Sequence, residues 1–233
     1  MLDDRDLVDS HVASLFVLGA RGRVQSVNDF EGSAPPRFSL VRAPGGNRCL
    51  ASARLPDRVA AALEALGRRE PCDAGASIWP ALRSQYRAVL EAHAPIGEEY
   101  AGPAFLLPRS AAADSDSARL LTSGDAALVN RHFEWLSREL EAARPVAGII
   151  ADGAVVSVCR CSRRGTRAAE AGVETAPAYR GRGFGRSVTA RWVGAMYEEG
   201  RLPLYSASES NVASLKIAAA LRGEVYAVDF HLA

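Results

Sequence analysis

Lysine is nearly missing from this chain. Lys216 is the single one among 28 basic residues, the rest being arginine, and against 27 acidic residues the formal net charge is only +1. So balanced a charge excludes a general nucleic-acid or membrane-surface role, and arginine with abundant alanine points to a GC-rich genome rather than an anion-binding surface. Cysteine is also scarce. Cys49, Cys72, Cys159 and Cys161 show no C-x-x-C spacing, which excludes a disulfide framework or a zinc site and leaves reduced, packed thiols, the last two expected on opposite faces of a strand. No apolar run is long enough to cross a bilayer. The acidic opening Met1-Leu2-Asp3-Asp4-Arg5-Asp6 leads into no signal-peptide pattern, so the expected location is cytoplasmic. His11, His93, His132 and His231 are scattered, with no nucleophile or metal partner at useful spacing, and no repeat of solenoid length is present.

What remains is a chain of 233 residues, 48% hydrophobic, long enough for one large domain or two modest ones. The spacing of Leu7, Val8, His11, Val12, Ser14 and Leu15 allows an opening helix. Strands Leu15 to Leu18 and Arg23 to Val27 then form a hairpin around Ala20-Arg21-Gly22, and a second hairpin, Phe38 to Arg42 with Arg48 to Ala53, turns at Pro44-Gly45-Gly46-Asn47. Pro56 opens a helix through Leu66 that Gly67 closes, and Trp79 to Ala92 reads as another. Gly102 to Pro108 is extended, and Ser110 to Ala118 is polar and aperiodic, which places a boundary there: an α+β region over 1–110 and a second domain over 119–233. Beyond it a helix over Asp125 to Ala142 stops before Pro145. Strands Val146 to Ile150 and Ala154 to Cys161 flank Asp152-Gly153, a strong hairpin signal. Arg160, Arg163, Arg164 and Arg167 read as a solvated loop after that strand, and Trp79, Trp135 and Trp192 as core residues on helix faces.

The most informative segment is Arg180-Gly181-Arg182-Gly183-Phe184-Gly185. It lies between a strand ending near Thr175 and a helix starting near Gly185. A glycine-rich turn that opens a helix aims several unpaired backbone N–H groups at one point, backed by the positive end of the helix dipole, which suits a pyrophosphate. Arg180, Arg182 and Arg186 add charge around it. The segment lacks the Lys-Ser/Thr ending of a Walker loop, and it is not in a first βαβ unit followed by an acidic residue, which excludes the usual nucleotide and dinucleotide motifs.

The pattern R-x-x-G-x-G resembles the phosphate-binding motif of the GNAT superfamily, the acyl-CoA-dependent N-acetyltransferases, and the likeness runs from Pro145 to Ala233. Before the motif, Ala168 to Thr175 and then Ala176-Pro177-Ala178-Tyr179 look like the family's central strand and its proline-containing exit. After it come an amphipathic helix with Val188, Trp192, Ala195 and Met196, stopped by Gly200. A strand from Leu202 to Ser206 leads to Ser210-Asn211, which can cap a helix to Leu221 with Gly223 beyond its end, and Val225 to His231 alternates as a closing strand.

That resemblance implies an α+β fold with a mixed, mostly antiparallel, V-shaped sheet flanked by helices. It implies acetyl-CoA as cosubstrate, with no metal, held by Val173, Glu174 and Thr175 along an open strand edge, by Arg180, Gly181, Arg182, Gly183, Phe184, Gly185 and Arg186 at the phosphates, and by Asn211. A strand N–H near the sheet centre would stabilise the oxyanion as an amine attacks. The implied enzyme is an acyltransferase for groups other than aminoacyl, moving acetyl to an amine of a small molecule or peptide in a ternary complex. Glu170 and Glu174, at even spacing on a regular strand, share a face, and either can be the base; each reads equally well as a charge on a solvated or recognition surface. Many relatives carry a tyrosine seven residues after the asparagine as acid to the thiolate. Ala218 stands there in this chain, leaving Tyr205, Tyr226 or solvent. That departure keeps a non-catalytic acyl-CoA-binding regulatory module as the alternative. The region 1–110 either shapes the acceptor cleft or is a degenerate second copy, and a homodimer is left open.

Overall fold

The computed structural model describes residues 3–30, 32–72, 77–115 and 117–233. Met1, Leu2 and Asp116, parts of the acidic opening and of the 110–118 stretch, lie outside them. In chain order the elements are α1 (Asp4–Leu15), β1 (Phe16–Leu18), β2 (Val24–Val27), β3 (Phe38–Arg42), β4 (Arg48–Ala51), α2 (Asp57–Gly67), α3 (Arg83–Glu91), β5 (Glu99–Leu106), β6 (Arg119–Leu120), α4 (Ala126–Asn130), α5 (Glu134–Glu139), β7 (Ala147–Ala151), β8 (Ala154–Arg164), β9 (Ala168–Thr175), α6 (Phe184–Glu198), β10 (Leu202–Ser206), α7 (Val212–Ala220) and β11 (Glu224–Leu232). Contacts gather Met1–Phe105, Ser206–Val212 and Val225–Ala233 into one unit, and Leu106–Tyr205 and Ala213–Glu224 into another. Because β11 returns to the first unit, neither unit is a single run of chain.

In the first unit the strand order is β4–β3–β11–β5. β3 pairs antiparallel with β4 (Phe38↔Ala51) and with β11 (Leu232↔Phe38). All five residues of β3 are buried, because both faces of the sheet are covered. Phe38, Leu40, Phe230 and Leu232 pack with Leu63 of α2 and with Tyr86 and Leu90 of α3. Val41, Leu50 and Ala227 instead pack with Val8, Val12 and Leu15 of α1 and with the β1–β2 hairpin. This alternation is the period of two that a sheet imposes.

Two helix limits in this unit differ from the sequence expectation, each for a local reason. α3 begins at Arg83 rather than Trp79, because Glu70 takes the backbone N–H groups of Ala81 and Leu82 (2.7 and 3.0 Å) and so caps the helix from outside its own chain segment. Gly67 is the last residue of α2, and its role is space: a Cβ there would lie 2.5 Å from Sγ of Cys49.

In the second unit the order is β10–β9–β8–β7–β6. β6, β7, β8 and β9 are successively antiparallel, and β9 and β10 are parallel. Asp152 (φ 49°) and Gly153 (φ 70°) form the turn between β7 and β8, since a two-residue hairpin of this hand requires positive φ at both positions. β8 extends to Arg164, so Arg160, Arg163 and Arg164 are strand residues and not a loop. Cys159 and Cys161 are both buried and, being two residues apart, share a face, against the expectation of opposite faces: Cys159 lies against Thr189 and Cys161 beside Trp192, both on α6. α6 buries Val188, Trp192, Ala195 and Met196 as its spacing required.

The opposite face of β8 carries α4 and α5, where Leu121, Val129, Phe133, Leu136 and Leu140 pack on Val155 and Val158. Sequence periodicity predicted one helix over Asp125 to Ala142, and the chain makes two. Asp125 closes a capping box with Thr122, and the helix breaks at Phe133 (φ −136°, ψ 61°), whose burial in the core outweighs helical continuity. α7 ends at Ala220, and Arg222 (φ 59°), rather than Gly223, supplies the left-handed residue past its end. Bonds from Arg222 to the Ser110 carbonyl and Asp114 hold it there (3.3 and 3.2 Å).

Candidate functional site

The site grows from the place where β9 loses its neighbour. The β9–β10 ladder runs from Leu202↔Ala168 to Leu204↔Glu170 and ends, whereas β9 continues to Thr175. Backbone groups alternate in direction along a strand. The carbonyls of Glu170 and Glu174 accept hydrogen bonds from Ser162 and Ser157 of β8 (3.1 and 3.2 Å), while the Arg167 carbonyl accepts from the Leu202 N–H. Odd positions therefore point toward β10. Past the last rung, the N–H and C=O of Val173 face outward from the β8 side along an edge with no ladder, so a ligand carrying amides can complete it. Of the three residues expected along this edge, Val173 and Thr175 turn their main chain outward, whereas the Glu174 carbonyl is taken by Ser157 of β8.

The glycine loop follows directly. Pro177–Tyr179 makes a 3-10 turn, and Arg180 bends back so that its Nε donates to the Thr175 carbonyl at 3.2 Å. Gly183 (φ 80°, ψ −1°) occupies the N-cap position of α6 with no side chain capping the helix, and no acidic residue lies in the first turn. The leading N–H groups of a 15-residue helix are thus left for an external acceptor. A Cβ at Gly181 or Gly183 would meet nothing within 4 Å, so the space over the loop is open. At Gly185 the reason differs. A Cβ there would lie 2.9 Å from Cδ1 of Ile217 on α7 and 3.7 Å from Cγ1 of Val173.

Arginines line this loop. Arg182 donates to the Ala178 carbonyl (3.2 Å) and lies over the Tyr179 ring (5.0 Å), whose hydroxyl bonds Asp152 at 2.6 Å. That bond raises the Tyr179 hydroxyl above its ordinary pKa. Arg186 is exposed in the first turn of α6. Geometry and charge together fit a diphosphate.

Residues 147–222 match the family model of GNAT acetyltransferases. They form a GNAT acetyltransferase domain. No curated relative matches the chain. Among solved structures it is similar to a GCN5-related N-acetyltransferase-like protein from Streptococcus suis, 18% identical, covering 85% of this chain and 84% of that one with a TM-score of 0.51. It is also similar to a GCN5-related N-acetyltransferase from Kribbella flavida (18% identity, 62% of each chain, TM-score 0.44) and to an aminoglycoside N-acetyltransferase in complex with CoA (19% identity, 45% of this chain and 88% of that one, TM-score 0.36). The first of these supports the mixed α+β fold, and the family match makes the GNAT domain's general chemistry acyl-CoA-dependent acetyl transfer.

Within the GNAT domain the two candidate carboxylates lie on one face of β9. Glu174 is paired across from Val158 and is exposed, whereas Glu170 sits at the last β10 rung with 2% of its surface accessible. That face is the α4/α5 side, opposite the one on which Val173 approaches α6 and α7. Thr175 shares its hydroxyl with Ser157 (2.8 Å). Asn211 directly precedes α7 and is exposed.

The residues weighed as thiolate acids are placed less favourably. Ala218 is buried, so its methyl is part of the packing under α7. Tyr205 is buried too, its hydroxyl engages Ser214, and burial pushes its pKa up to about 12. Tyr226, in the first unit, bonds His11. Among the described residues no group of three His, Cys, Asp or Glu could hold a metal, and no helix is long and apolar enough to cross a membrane.

Two side chains on the carboxylate face, Arg160 and Trp135, differ from the loop and core positions expected for them. Trp135 is 37% exposed rather than core, and its ring stacks on the Arg160 guanidinium at 4.4 Å. The available signal was Gly172, a glycine inside a strand with no turn to explain it.

Proposed function

We propose that this protein transfers an acetyl group from acetyl-CoA to a primary amine by direct attack. The observation that carries the reading is the unpaired stretch of β9 at Val173 running straight into the uncapped N-terminus of α6. A pantetheine arm needs a strand edge and a diphosphate needs a nest of N–H groups, and here one follows the other within ten residues. Acetyl-CoA supplies the activated acyl group.

The residues of the chain divide the work by position. The Val173 carbonyl accepts from an amide N–H of the arm, and its N–H is a donor toward the acyl carbonyl. The backbone from Gly181 to Arg186 and the guanidinium groups of Arg180, Arg182 and Arg186 bind the phosphates. Because α6 occupies one face of β9, the amine approaches from the other, where Glu174 is exposed beside the open edge. Glu174 is the group best placed to take the proton of the incoming ammonium. Glu170 is sealed at the last rung.

Tyr205 and Tyr226 are engaged by Ser214 and His11, so water protonates the departing thiolate. The acceptor is a small molecule or peptide rather than a nucleic acid or membrane, in line with the balanced charge. Calorimetry with CoA, followed by thiol release from acetyl-CoA over a panel of amines, tests the reading. Binding at micromolar strength with amine-dependent thiol release is the expected result. Binding without release on any amine would favour the non-catalytic module, and no binding would end both.

A further inference from the structure

The guanidinium of Arg160 is fixed in place yet left without a counter-ion. It lies across β9 over Gly172, its register partner, where a Cβ would come 3.4 Å from Cζ and 3.5 Å from Nη1. The Trp135 ring also packs on it, its centroid 4.4 Å from Cζ. This packing against a glycine backbone and an indole removes most of the rotamer freedom that an arginine normally has. Of its five N–H donors, one bonds the Cys161 carbonyl at 3.4 Å, and Nε is buried with no partner. It makes no ion pair among the described residues. Many other arginines of the chain do, among them Arg83 and Arg87 with Glu99, Arg119 with Asp125, and Arg164 with Glu199.

Burial lowers the Arg160 pKa, and the carboxylates that act against this from a distance are Glu174 and Glu139. A guanidinium in that state costs free energy unless something anionic arrives, and the fork of Arg is shaped for a carboxylate. Its neighbour on the same face is Glu174, the carboxylate that meets the incoming amine in the function proposed above. One positive and one negative group, side by side on the face from which the acceptor enters, form the mirror image of a zwitterion.

We infer that the acceptor is a small amino acid, its ammonium facing Glu174 and its carboxylate held by Arg160 beside Trp135 and Gly172. This rests on the acetyltransferase reading and adds the substrate class. Transfer then balances simply: the neutral amine displaces the thiol, the amide N–C bond forms as the thioester C–S bond breaks, and the ammonium proton leaves through Glu174. The acceptor carboxylate takes no part beyond binding.

The test compares free amino acids of increasing chain length with their methyl esters and with the matching decarboxylated amines, each with acetyl-CoA and the full-length protein. The expected result is a kcat/KM about 10- to 100-fold higher for the carboxylate-bearing member of each set, the range for a charge-assisted pair. Arg160→Met should abolish that ratio by raising KM for amino acids while leaving kcat for decarboxylated amines and the KM for acetyl-CoA unchanged. Arg160→Lys, which keeps the charge without the fork, should restore part of it. Equal turnover of acids, esters and amines by the native protein, or a ratio untouched by Arg160→Met, would overturn the inference while leaving the transferase intact. If CoA binds and no amine of any kind is acetylated, it is the transferase reading that fails. Calorimetric titration of amino acids onto the CoA-saturated protein then decides the present proposal alone, with binding lost in Arg160→Met supporting it and no binding refuting it.

Discussion

Tyr226 Oη lies 2.5 Å from Nδ1 of His11, although 215 positions separate them in the chain. The far side of the same ring, Nε2, is 3.1 Å from Oδ1 of Asp229, and both His11 and Asp229 are sealed from solvent. In the tautomer that carries its proton on Nε2, the ring donates to the Asp229 carboxylate and Nδ1 accepts the hydrogen bond of the Tyr226 O–H. The three residues tie α1 to β11 through a polar link.

A buried carboxylate that loses its donor keeps its desolvation cost without compensation. His11→Leu should therefore destabilise the protein by about 3 kcal/mol, whereas Tyr226→Phe, which removes one hydrogen bond near the surface, should cost about 1 kcal/mol. Urea unfolding of the two variants checks the order. Equal and negligible effects would show that the link contributes nothing to stability.

At the phosphate loop the same kind of residue has two uses. Gly183 adopts φ 80° in open space, so Gly183→Ala should strain the backbone by about 1 kcal/mol and weaken CoA binding about tenfold by misdirecting the first N–H groups of α6. Gly183→Asp, which also places a negative charge over the nest, should abolish binding. For Gly185 the limit is the neighbour: Gly185→Val meets Ile217, and a companion Ile217→Ala should recover the lost stability. Thermal unfolding and calorimetry of these four proteins separate strain from crowding.

Acid stability should respond to one ion pair. Arg119 donates to Asp125 at 2.5 Å, the Thr122 N–H adds a bond at 2.8 Å, and together they hold the Asp125 carboxyl at a pKa of about 2. The folded value lies below the ordinary 3.8, so unfolding takes up a proton between the two. Stability from this group is complete above pH 3.8 and is lost as the pH falls toward 2. Between those values the midpoint of thermal unfolding should fall less steeply in Asp125→Asn than in the native protein, and parallel curves would refute the assignment.

Thiol reactivity should separate the four cysteines. Cys72 is exposed, while burial pushes Cys161 up to about 11, Cys49 up to about 12 and Cys159 well above its ordinary value. Iodoacetamide at pH 8 should label the folded protein once, at Cys72, because the thiolate is the reactive form. Peptide mapping that found label on Cys159 would contradict its burial.

Local chemistry wrote much of this protein into the sequence. The two-residue turn at Asp152-Gly153, the strand from Ala168 to Thr175, the loop from Arg180 to Gly185 and the face of α6 all follow from dihedral preference and periodicity, which act over a few residues and so are visible in one. The glycine loop before a helix was enough to locate the phosphate site. Tertiary structure decided what depends on partners distant in the chain: the break at Phe133 in favour of the core, the Glu70 cap on α3, the pairing of Tyr226 with His11, and the packing of Trp135 and Gly172 on Arg160. Burial and ion pairing are sums over neighbours in space, and no spacing along the chain encodes which neighbours those will be.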